Sequence, residues 1–396
     1  MDLEDFYREA SALRAKLIQW RRRVHAYPEL GLCEKETSLF VQETLKGFGI
    51  ETRTVFSETG VVGIIRSSGD KTIALRADMD ALPIQEKTGA EYQSTRAGVM
   101  HACGHDGHIA MLLGASFLLK NATERLKGNV KVIFQPAEEQ SFVGRGGARQ
   151  MILDGVLENP AVSEIVGLHL DPEIPCGHVG IREGTAMAGS TTVEMHVLGK
   201  PAHAARPHMG VDAVYVASHV ILSLHGMMAH EMNAMEPKII TFGEIRGGSS
   251  PNVLASEVVL RGTLRSFSSA KNEALIEAVS NRSKAICSTY GGDALCTFQR
   301  LYPPLVNNKR LATVARRVAQ EHPGIKCVLE LDSPLLGGED FAFFAERIPG
   351  FMYRLGCGSE PQNFPLHSPE FDFDEEVLVL GSSLLAGMAC SLFEAS

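Results

Sequence analysis

Apolar residues recur along the first half of the chain with two different periods. Some stretches place them three or four positions apart, which is the spacing of one face of a helix. These stretches cover residues 3–24, 37–48, 108–120 and 147–157. Other stretches are short and nearly continuous in apolar residues, which is typical of buried strands. These cover 61–67, 72–78, 129–139 and 164–170. The alternation of strands and helices predicts βαβ units around a largely parallel sheet flanked by helices.

The pattern changes near residue 187. Residues 190–200 alternate between apolar and polar, as in a strand with one face in water. Segments of helical and strand spacing follow in the order helix, strand, strand, helix, over 212–229, 238–245, 257–267 and 269–288. This order predicts an α+β domain with an antiparallel sheet. The α/β pattern of the first half then returns, with helical spacing at 311–321, at 340–348 and from about 375.

Two domains are therefore predicted, one inserted in the other. An α/β domain covers residues 1–186 and 299–396, and an α+β domain covers 187–298. The length of 396 residues agrees with this division, since a domain takes about 150 residues on average.

Charge and cysteine content restrict the class of protein. The net charge of −9 argues against a nucleic-acid partner, because phosphate binding depends on clustered Lys and Arg. Eight cysteines are too few for a disulfide scaffold. The first 20 residues show no secretory pattern, and no run approaches 18 apolar residues, so no membrane span is expected. These features predict a cytoplasmic protein with reduced thiols.

The densest group of reactive side chains lies in MHACGHDGH, residues 100–108. In a glycine-rich loop, Cys103 and His105 can both turn towards one point. A thiolate and an imidazole together suit zinc or a similar transition metal. The alternative is a simple loop before a helix, with Asp106 as the N-cap and half-exposed histidines.

Two acidic pairs follow predicted strands. Glu138 and Glu139 are adjacent and point to different sides, so one can bind a metal while the other holds or deprotonates a water. Taken alone, such a pair is more often a surface acidic pair. Asp78 and Asp80 share one face of an extended segment, where one of them can support a metal-bound histidine. Their alternative role is to form a turn before Pro83.

Three single histidines complete the candidates. His169 and His367 each lie at or after an apolar stretch, where a lone histidine is more often structural. His203 lies in a Gly- and Pro-rich loop of the inserted domain, which is typical of a recognition loop, although a structural role stays open. The chain has no G-x-S-x-G elbow, Walker A sequence or G-x-G-x-x-G fingerprint, which argues against serine hydrolases, P-loop NTPases and Rossmann dehydrogenases.

Taken together, the motifs resemble those of the aminoacylase/carboxypeptidase-type dinuclear metallopeptidase family. The resemblance is strongest to its amidohydrolase branch, which includes hippurate hydrolases, N-acyl-amino-acid amidohydrolases and indoleacetyl-amino-acid hydrolases. Eight motifs carry it in order: RRRVHAYPELG (21–31), LRADMDALP (75–83), MHACGHDGH (100–108), FQPAEE (134–139), GLHL (167–170), GKPAHAARPHMGVDA (199–213), GEDF (338–341) and LHSPEFD (366–372).

The resemblance implies a catalytic α/β domain, an inserted lid and dimerisation domain, and a site for two metal ions. The implied roles are Cys103 as the bridging ligand, His105, Glu139, His169 and His367 as further ligands, Glu138 as general base, Asp80 as a carboxylate supporting a ligand, and His203 and Asn252 as substrate contacts. Asp78 stands where the wider family has a metal-binding histidine. Two departures, Leu254-Ala255 for Ile-Pro and Gly338 for Ser, bear on substrate specificity.

The implied reaction is metal-dependent hydrolysis of N-acyl amino acids carrying acetyl, benzoyl or similar groups, which yields a carboxylic acid and a free amino acid. Two divalent ions are expected, with zinc, manganese, cobalt and nickel all open. The expected partners are a small N-acyl amino acid or short peptide and further copies of the chain, as a homodimer or homotetramer. A metallo-carboxypeptidase or dipeptidase is the alternative enzyme, and a non-catalytic metal-binding protein of this fold is the alternative from another class.

Overall fold

The computed structural model describes residues 2–56, 59–139, 146–233, 235–358 and 363–394. The chain divides into two compact units. The larger unit comprises Met1–Ala186, Val306–Pro334 and Glu339–Ser396. The smaller unit comprises Met187–Leu305 and Leu335–Gly338.

Helices and strands alternate through most of the chain. The helices are α1 (Leu3–Ala12), α2 (Arg14–Ala26), α3 (Lys35–Gly47), α4 (His105–Asn121), α5 (Gly147–Leu153), α6 (Ala213–His230), α7 (Ser269–Thr289), α8 (Lys309–Glu321), α9 (Phe341–Ala345) and α10 (Val377–Glu394). The strands are β1 (Glu51–Val55), β2 (Gly60–Ile65), β3 (Thr72–Asp78), β4 (Asn129–Gln135), β5 (Glu164–Pro175), β6 (His178–Ile181), β7 (Gly184–Met187), β8 (Gly189–Leu198), β9 (Lys238–Gly247), β10 (Glu257–Ser266), β11 (Asp293–Tyr302), β12 (Leu305–Asn307), β13 (Cys327–Glu330) and β14 (Gly350–Gly358).

The larger unit is built on an eight-stranded sheet in the order β1-β2-β4-β3-β5-β14-β6-β13. Its middle strands β4, β3, β5 and β14 are all parallel to one another. Every residue of β3 is buried, as expected for a strand covered on both faces. The carboxyl ends of the parallel strands meet at one edge of the sheet, where sites form in open α/β folds. The predicted fold class is therefore confirmed for this unit.

The smaller unit is an antiparallel sheet in the order β11-β8-β10-β9, with α6 and α7 packed on it. Buried residues of β8 and β10, such as Met195 and Leu260, contact buried residues of the helices, such as Val220 and Leu275. The second fold class, α+β with an antiparallel sheet, is likewise confirmed. Strand β11 was not among the predicted strands, because this edge strand buries only a few of its positions.

Several predicted elements differ in extent from those observed, and two of these differences have a local cause. The helix predicted over 3–24 is two helices, since Leu13 ends α1 and begins α2. The strand predicted over 129–139 ends at Gln135, because Pro136 cannot donate a ladder hydrogen bond. Ala137 then adopts a φ of 55°, which turns the chain out of the sheet.

Helix α10 is long and apolar enough to cross a membrane, with a mean hydropathy of 1.8 over 18 residues. However, 83% of that stretch is buried inside the protein. It packs against α1, α4 and α8. Its burial and packing are therefore those of a core helix.

The stability of the larger unit is expected to depend on the protonation of His322. Its Nε2–H donates to Ser383 Oγ at 2.9 Å and its Nδ1 accepts the Gly324 N–H at 3.1 Å. Burial lowers the pKa of His322 from 6.5 to about 4. Between these values the unfolded chain binds a proton that the folded protein does not, so stability falls as the pH falls through this range.

Lowering the pH from 7 to 4.5 should cost about 2 kcal/mol through His322 alone. Urea unfolding of the metal-free protein at both pH values measures this cost. His322→Gln should show a correspondingly smaller loss, whatever its stability at pH 7. An equal loss in both proteins would refute this role of His322.

Candidate metal centre

The loop 101–105 turns two candidate ligands towards one point just before α4. Gly104 caps the helix with a φ of 83°, a left-handed conformation that favours glycine. A Cβ at Gly104 would also come within 2.9 Å of the Leu170 side chain. The alternative of an ordinary capped loop is wrong, because Asp106 lies inside the helix, where it accepts a hydrogen bond from Arg21 Nε at 2.7 Å. His105 is buried rather than half-exposed.

Two groups of possible ligand atoms meet around Cys103. The donor atoms of Cys103, Glu139 and His367 all lie within 4.8 Å of one another. His367 Nε2 is 3.3 Å from Glu139 Oε1. On the other side, Cys103 Sγ is 3.6 Å from His169 Nε2. The thiol thus lies between two half-sites, one with a carboxylate and one with imidazoles.

The tautomers of His105 and His169 direct one nitrogen of each ring into the site. His105 Nδ1–H donates to the backbone oxygen of Asp80 at 2.9 Å, and His169 Nδ1–H donates to that of Leu170 at 2.7 Å. The Nε2 of each ring therefore faces the site, where a bound metal ion would replace any proton on it. His105 Nε2 is buried and has no hydrogen-bond partner within the described ranges. Such an orphaned acceptor is costly unless something occupies the site.

His108 is near this group but is differently engaged. Its Nδ1 bonds to Asp78 Oδ1, and its Nε2 accepts the Leu170 N–H at 3.0 Å. Both ring nitrogens form hydrogen bonds, and the bond to Leu170 links α4 to β5. Its contact with Leu170 holds the strand next to His169.

The ionisable groups of the cluster shift one another's pKa values. Burial and the Glu139 charge oppose ionisation of Cys103, but His105 and His169 outweigh them and hold its pKa at about 6. Against the cost of burial, the Cys103 thiolate in turn raises the pKa of His169 to about 9. A thiolate, a carboxylate and imidazoles are a donor set that fits divalent first-row metals such as zinc.

Glu138 differs from Glu139 in its surroundings. Its carboxyl is buried and lies among the side chains of Glu139, Glu339 and Asp340. Burial first, and then the charge of Glu339, raises the pKa of Glu138 well above its ordinary value. For Glu139, burial opposes ionisation, but its contacts with His367, His105 and Cys103 together outweigh burial, and its pKa is lowered. One carboxyl of the pair is thus suited to binding a cation and the other to carrying a proton.

A buried arginine that the sequence did not single out supports this edge of the sheet. Arg76 donates to Asp78 at 2.7 Å, to Gln135 at 2.9 Å and to Asp340 at 2.9 Å. Asp340 also accepts two hydrogen bonds from the Gln135 amide. The available signal was a charged residue inside the apolar strand TIALRAD, since a buried arginine needs paired acids.

His203 and Asn252 lie in the smaller unit, where the structure brings them together. The Ala204 N–H donates to Asn252 O at 3.0 Å, and His203 forms a β-bridge with Val253. His203 is exposed, and its Nδ1 accepts the Ala205 N–H at 3.1 Å. Its Nε2 therefore carries the proton of the neutral ring and is available as a donor.

The departure at Gly338 has a local cause. A Cβ at this position would come within 2.8 Å of the Tyr302 ring. A serine there would require the ring to move, so the observed position of the Tyr302 ring requires glycine at position 338.

Comparisons with known proteins show which family the chain is similar to. The sequence profile described as peptidase family M20/M25/M40 matches residues 74–391. The chain is 39% identical to an IAA-amino acid hydrolase of Arabidopsis thaliana, over 94% of this chain and 84% of the relative. It is 38% identical to the N-acetyl-L-cysteine deacetylase of Bacillus subtilis, over 98% and 90% of the two chains. A crystal structure of a dinuclear metal-binding peptidase of the M20 family from Bacillus subtilis superposes with a TM-score of 0.85 at 33% identity, covering 98% of this chain and 100% of that one.

Proposed function

This chain belongs to peptidase family M20/M25/M40, and we propose that it hydrolyses the amide bond of N-acyl amino acids. The products are a carboxylic acid and a free amino acid. One observation carries the proposal: Glu138, a buried carboxyl with a raised pKa, has its oxygen within 4.8 Å of the ligand atoms of His105 and Glu139. An acid–base group thus lies beside a cluster that can bind metals, in a family with hydrolases of N-acyl amino acids among its members.

We assign the two ions to the two half-sites around Cys103. Cys103 would bind both ions, His105 and His169 would complete one site, and Glu139 and His367 the other. When bound, the ions supply Lewis acidity that lowers the pKa of water towards about 7. Sulfur and nitrogen donors favour zinc, while the carboxylate also suits manganese, and cobalt and nickel fit the same donors.

The side chains of the protein then move the protons. Glu138 takes a proton from the attacking water and returns it to the amine that leaves the substrate. Its raised pKa favours holding this proton between the two steps. Asp80 fixes the backbone of Glu138 and Glu139 by accepting both of their N–H groups, at 3.0 and 2.9 Å. His203 donates its Nε2–H to the oxygen of the substrate on which negative charge develops, and Asn252 binds the substrate.

The proposal extends to the compartment and the assembly. All eight cysteines lie within the described ranges and are free thiols, which supports a reducing compartment such as the cytoplasm. Helix α6 exposes Val214, Tyr215 and Leu222 on its surface, which supports association into a homodimer or homotetramer. Sedimentation equilibrium of the purified protein measures the number of copies.

A substrate panel on metal-loaded protein tests the proposed reaction. The protein is stripped with a chelator and reloaded separately with zinc, manganese, cobalt or nickel. It is then assayed on hippurate, N-acetyl amino acids, an indoleacetyl amino acid, free dipeptides and longer peptides. We expect at least one N-acyl amino acid to exceed every peptide in kcat/KM by about tenfold or more, and the stripped protein to be inactive.

The same panel separates the alternatives. A preference for free dipeptides or for longer peptides would mean a dipeptidase or carboxypeptidase instead. Two bound ions with no turnover of any substrate would mean a metal-binding protein without this activity. Either result would refute the proposed reaction.

His203→Ala tests the assigned donor in the smaller unit. We expect kcat to fall by about 10²- to 10³-fold, which is the usual cost of removing a donor to a developing oxyanion. His208→Ala is the matched control, since His208 is also exposed and lies in the same loop. Asn252→Ala should mainly raise KM. Unchanged kinetics in His203→Ala would refute its role.

A further inference from the structure

The turn that carries Glu138 and Glu139 has an unusual backbone. Ala137 adopts a φ of 55°, in the left-handed region that residues other than glycine rarely occupy. Such a conformation persists only where the surrounding structure enforces it. It matters here because it sets the course of the backbone into the two glutamates, which follow directly in the chain.

Two carboxylates hold the three N–H groups of this turn. Asp80 accepts the N–H groups of Glu138 and Glu139. The remaining one, the Ala137 N–H, donates to Glu34 Oε1 at 2.7 Å. The strained residue is thus bound by an acid 103 positions away in the chain.

The other surroundings of Glu34 among the described residues do not explain its buried position. It occupies the N-cap position of α3, but its side chain makes no capping bond to that helix in the described structure. It is fully buried, and its Oε2 has no hydrogen-bond partner among the described residues. Burial, followed by the charge of Asp80, raises the pKa of Glu34 to about 8. Burying a carboxyl this poorly satisfied is unfavourable for folding, so a structural role alone does not explain it.

We infer that Glu34 is a positioning residue for the active site, which holds the Ala137 N–H and so fixes the turn from which Glu138 and Glu139 extend. This inference rests on the proposed function, because it assigns Glu138 and Glu139 their separate tasks. Glu34 touches neither substrate nor metal ligand and acts through the backbone of the turn.

Glu34→Ala and Glu34→Gln test the inference in the metal-loaded enzyme. We expect Glu34→Ala to lower kcat by about 10- to 100-fold, because small displacements of a reacting group have effects of this size. KM should change by less than about twofold, and two ions should remain bound at saturating metal. Glu34→Gln should recover most of kcat, because an amide oxygen can still accept the Ala137 N–H.

Glu29→Ala is the matched control for damage to the start of α3. Glu29 is also buried, and it accepts the Thr37 N–H at 2.9 Å without a contact to the turn. Glu29→Ala should lose stability but keep kcat. An unchanged kcat in Glu34→Ala, an equal loss in Glu34→Gln, or an equal loss in Glu29→Ala would each overturn the inference.

Hydrogen exchange separates this inference from the proposed function. In Glu34→Ala the amide hydrogens of residues 137–139 should exchange at least about tenfold faster than in the wild type and in Glu29→Ala. This readout does not require any substrate to be cleaved. Unchanged exchange would overturn the positioning role, whereas faster exchange in a protein that cleaves no substrate would refute only the proposed function.

Discussion

Glu138→Gln is expected to lower kcat for N-acyl amino acid hydrolysis by about 10³-fold or more and to leave both metal ions bound. The amide has nearly the same shape as the carboxyl but cannot accept the proton of the attacking water or return it to the amine. Metal binding should persist because the proposed ligand Glu139 points to the cluster of Cys103 and His367, while Glu138 lies among Glu339 and Asp340. Steady-state kinetics and elemental analysis of the same sample measure the two quantities.

Glu173→Gln serves as the control for this variant. Glu173 lies on β5 in the same unit with 82% of its side chain exposed, so its replacement removes the same charge without touching the site. The kinetics of this variant should match those of the wild type. Retained turnover in Glu138→Gln would contradict the role of general base. Loss of metal in step with activity would instead make Glu138 a ligand.

Cys103→Ala should lower the metal content from two ions to one or fewer per chain and abolish activity. The thiol is grouped with Glu139 and His367 and lies 3.6 Å from His169 Nε2, so it faces both the carboxylate half-site and the imidazole half-site. Its lowered pKa of about 6 means that a thiolate is present at neutral pH, and thiolate is the form that binds metals. Elemental analysis after gel filtration measures the metal content.

The control for Cys103→Ala is Cys357→Ala. Cys357 is also buried in the larger unit, but burial raises the pKa of its thiol well above the ordinary value. Its replacement should leave two ions bound. Added metal should raise the melting temperature of Cys357→Ala and of the wild type, and much less that of Cys103→Ala. Full occupancy in Cys103→Ala would exclude this cysteine as a ligand.

Local pattern was enough to predict most elements, but it missed a central strand. Strand β14 pairs with β5 in the middle of the large sheet, yet its sequence GFMYRLGCG was not predicted as a strand. Three glycines and an arginine interrupt its apolar run, so its intrinsic preference for a strand is weak. Pairing with β5 on one side and β6 on the other makes it a strand. The edge strand β11 was missed for the opposite reason, since few of its side chains are buried.

The candidate ligands and the supporting carboxylate of Asp80 were predicted by residue type and motif, whereas the supports Arg76 and Glu34 were not. Cys103 and His105 are neighbours in sequence, so a short motif marks them. Arg76 was overlooked because the sequence does not show which acidic residues pair with it. Glu34 was overlooked because its side chain accepts a backbone N–H, and the sequence does not show which backbone group a side chain will contact.

The sequence by itself determined the fold class and the set of side chains able to bind metal. Each of these follows from residue type and from apolar spacing over a few turns or strands. Only the tertiary structure decided which of these side chains meet. Cys103 and His169 are 66 positions apart, and Arg76 and Asp340 are 264 apart. Such contacts arise when the parallel strands align their carboxyl ends, and no local period encodes that alignment.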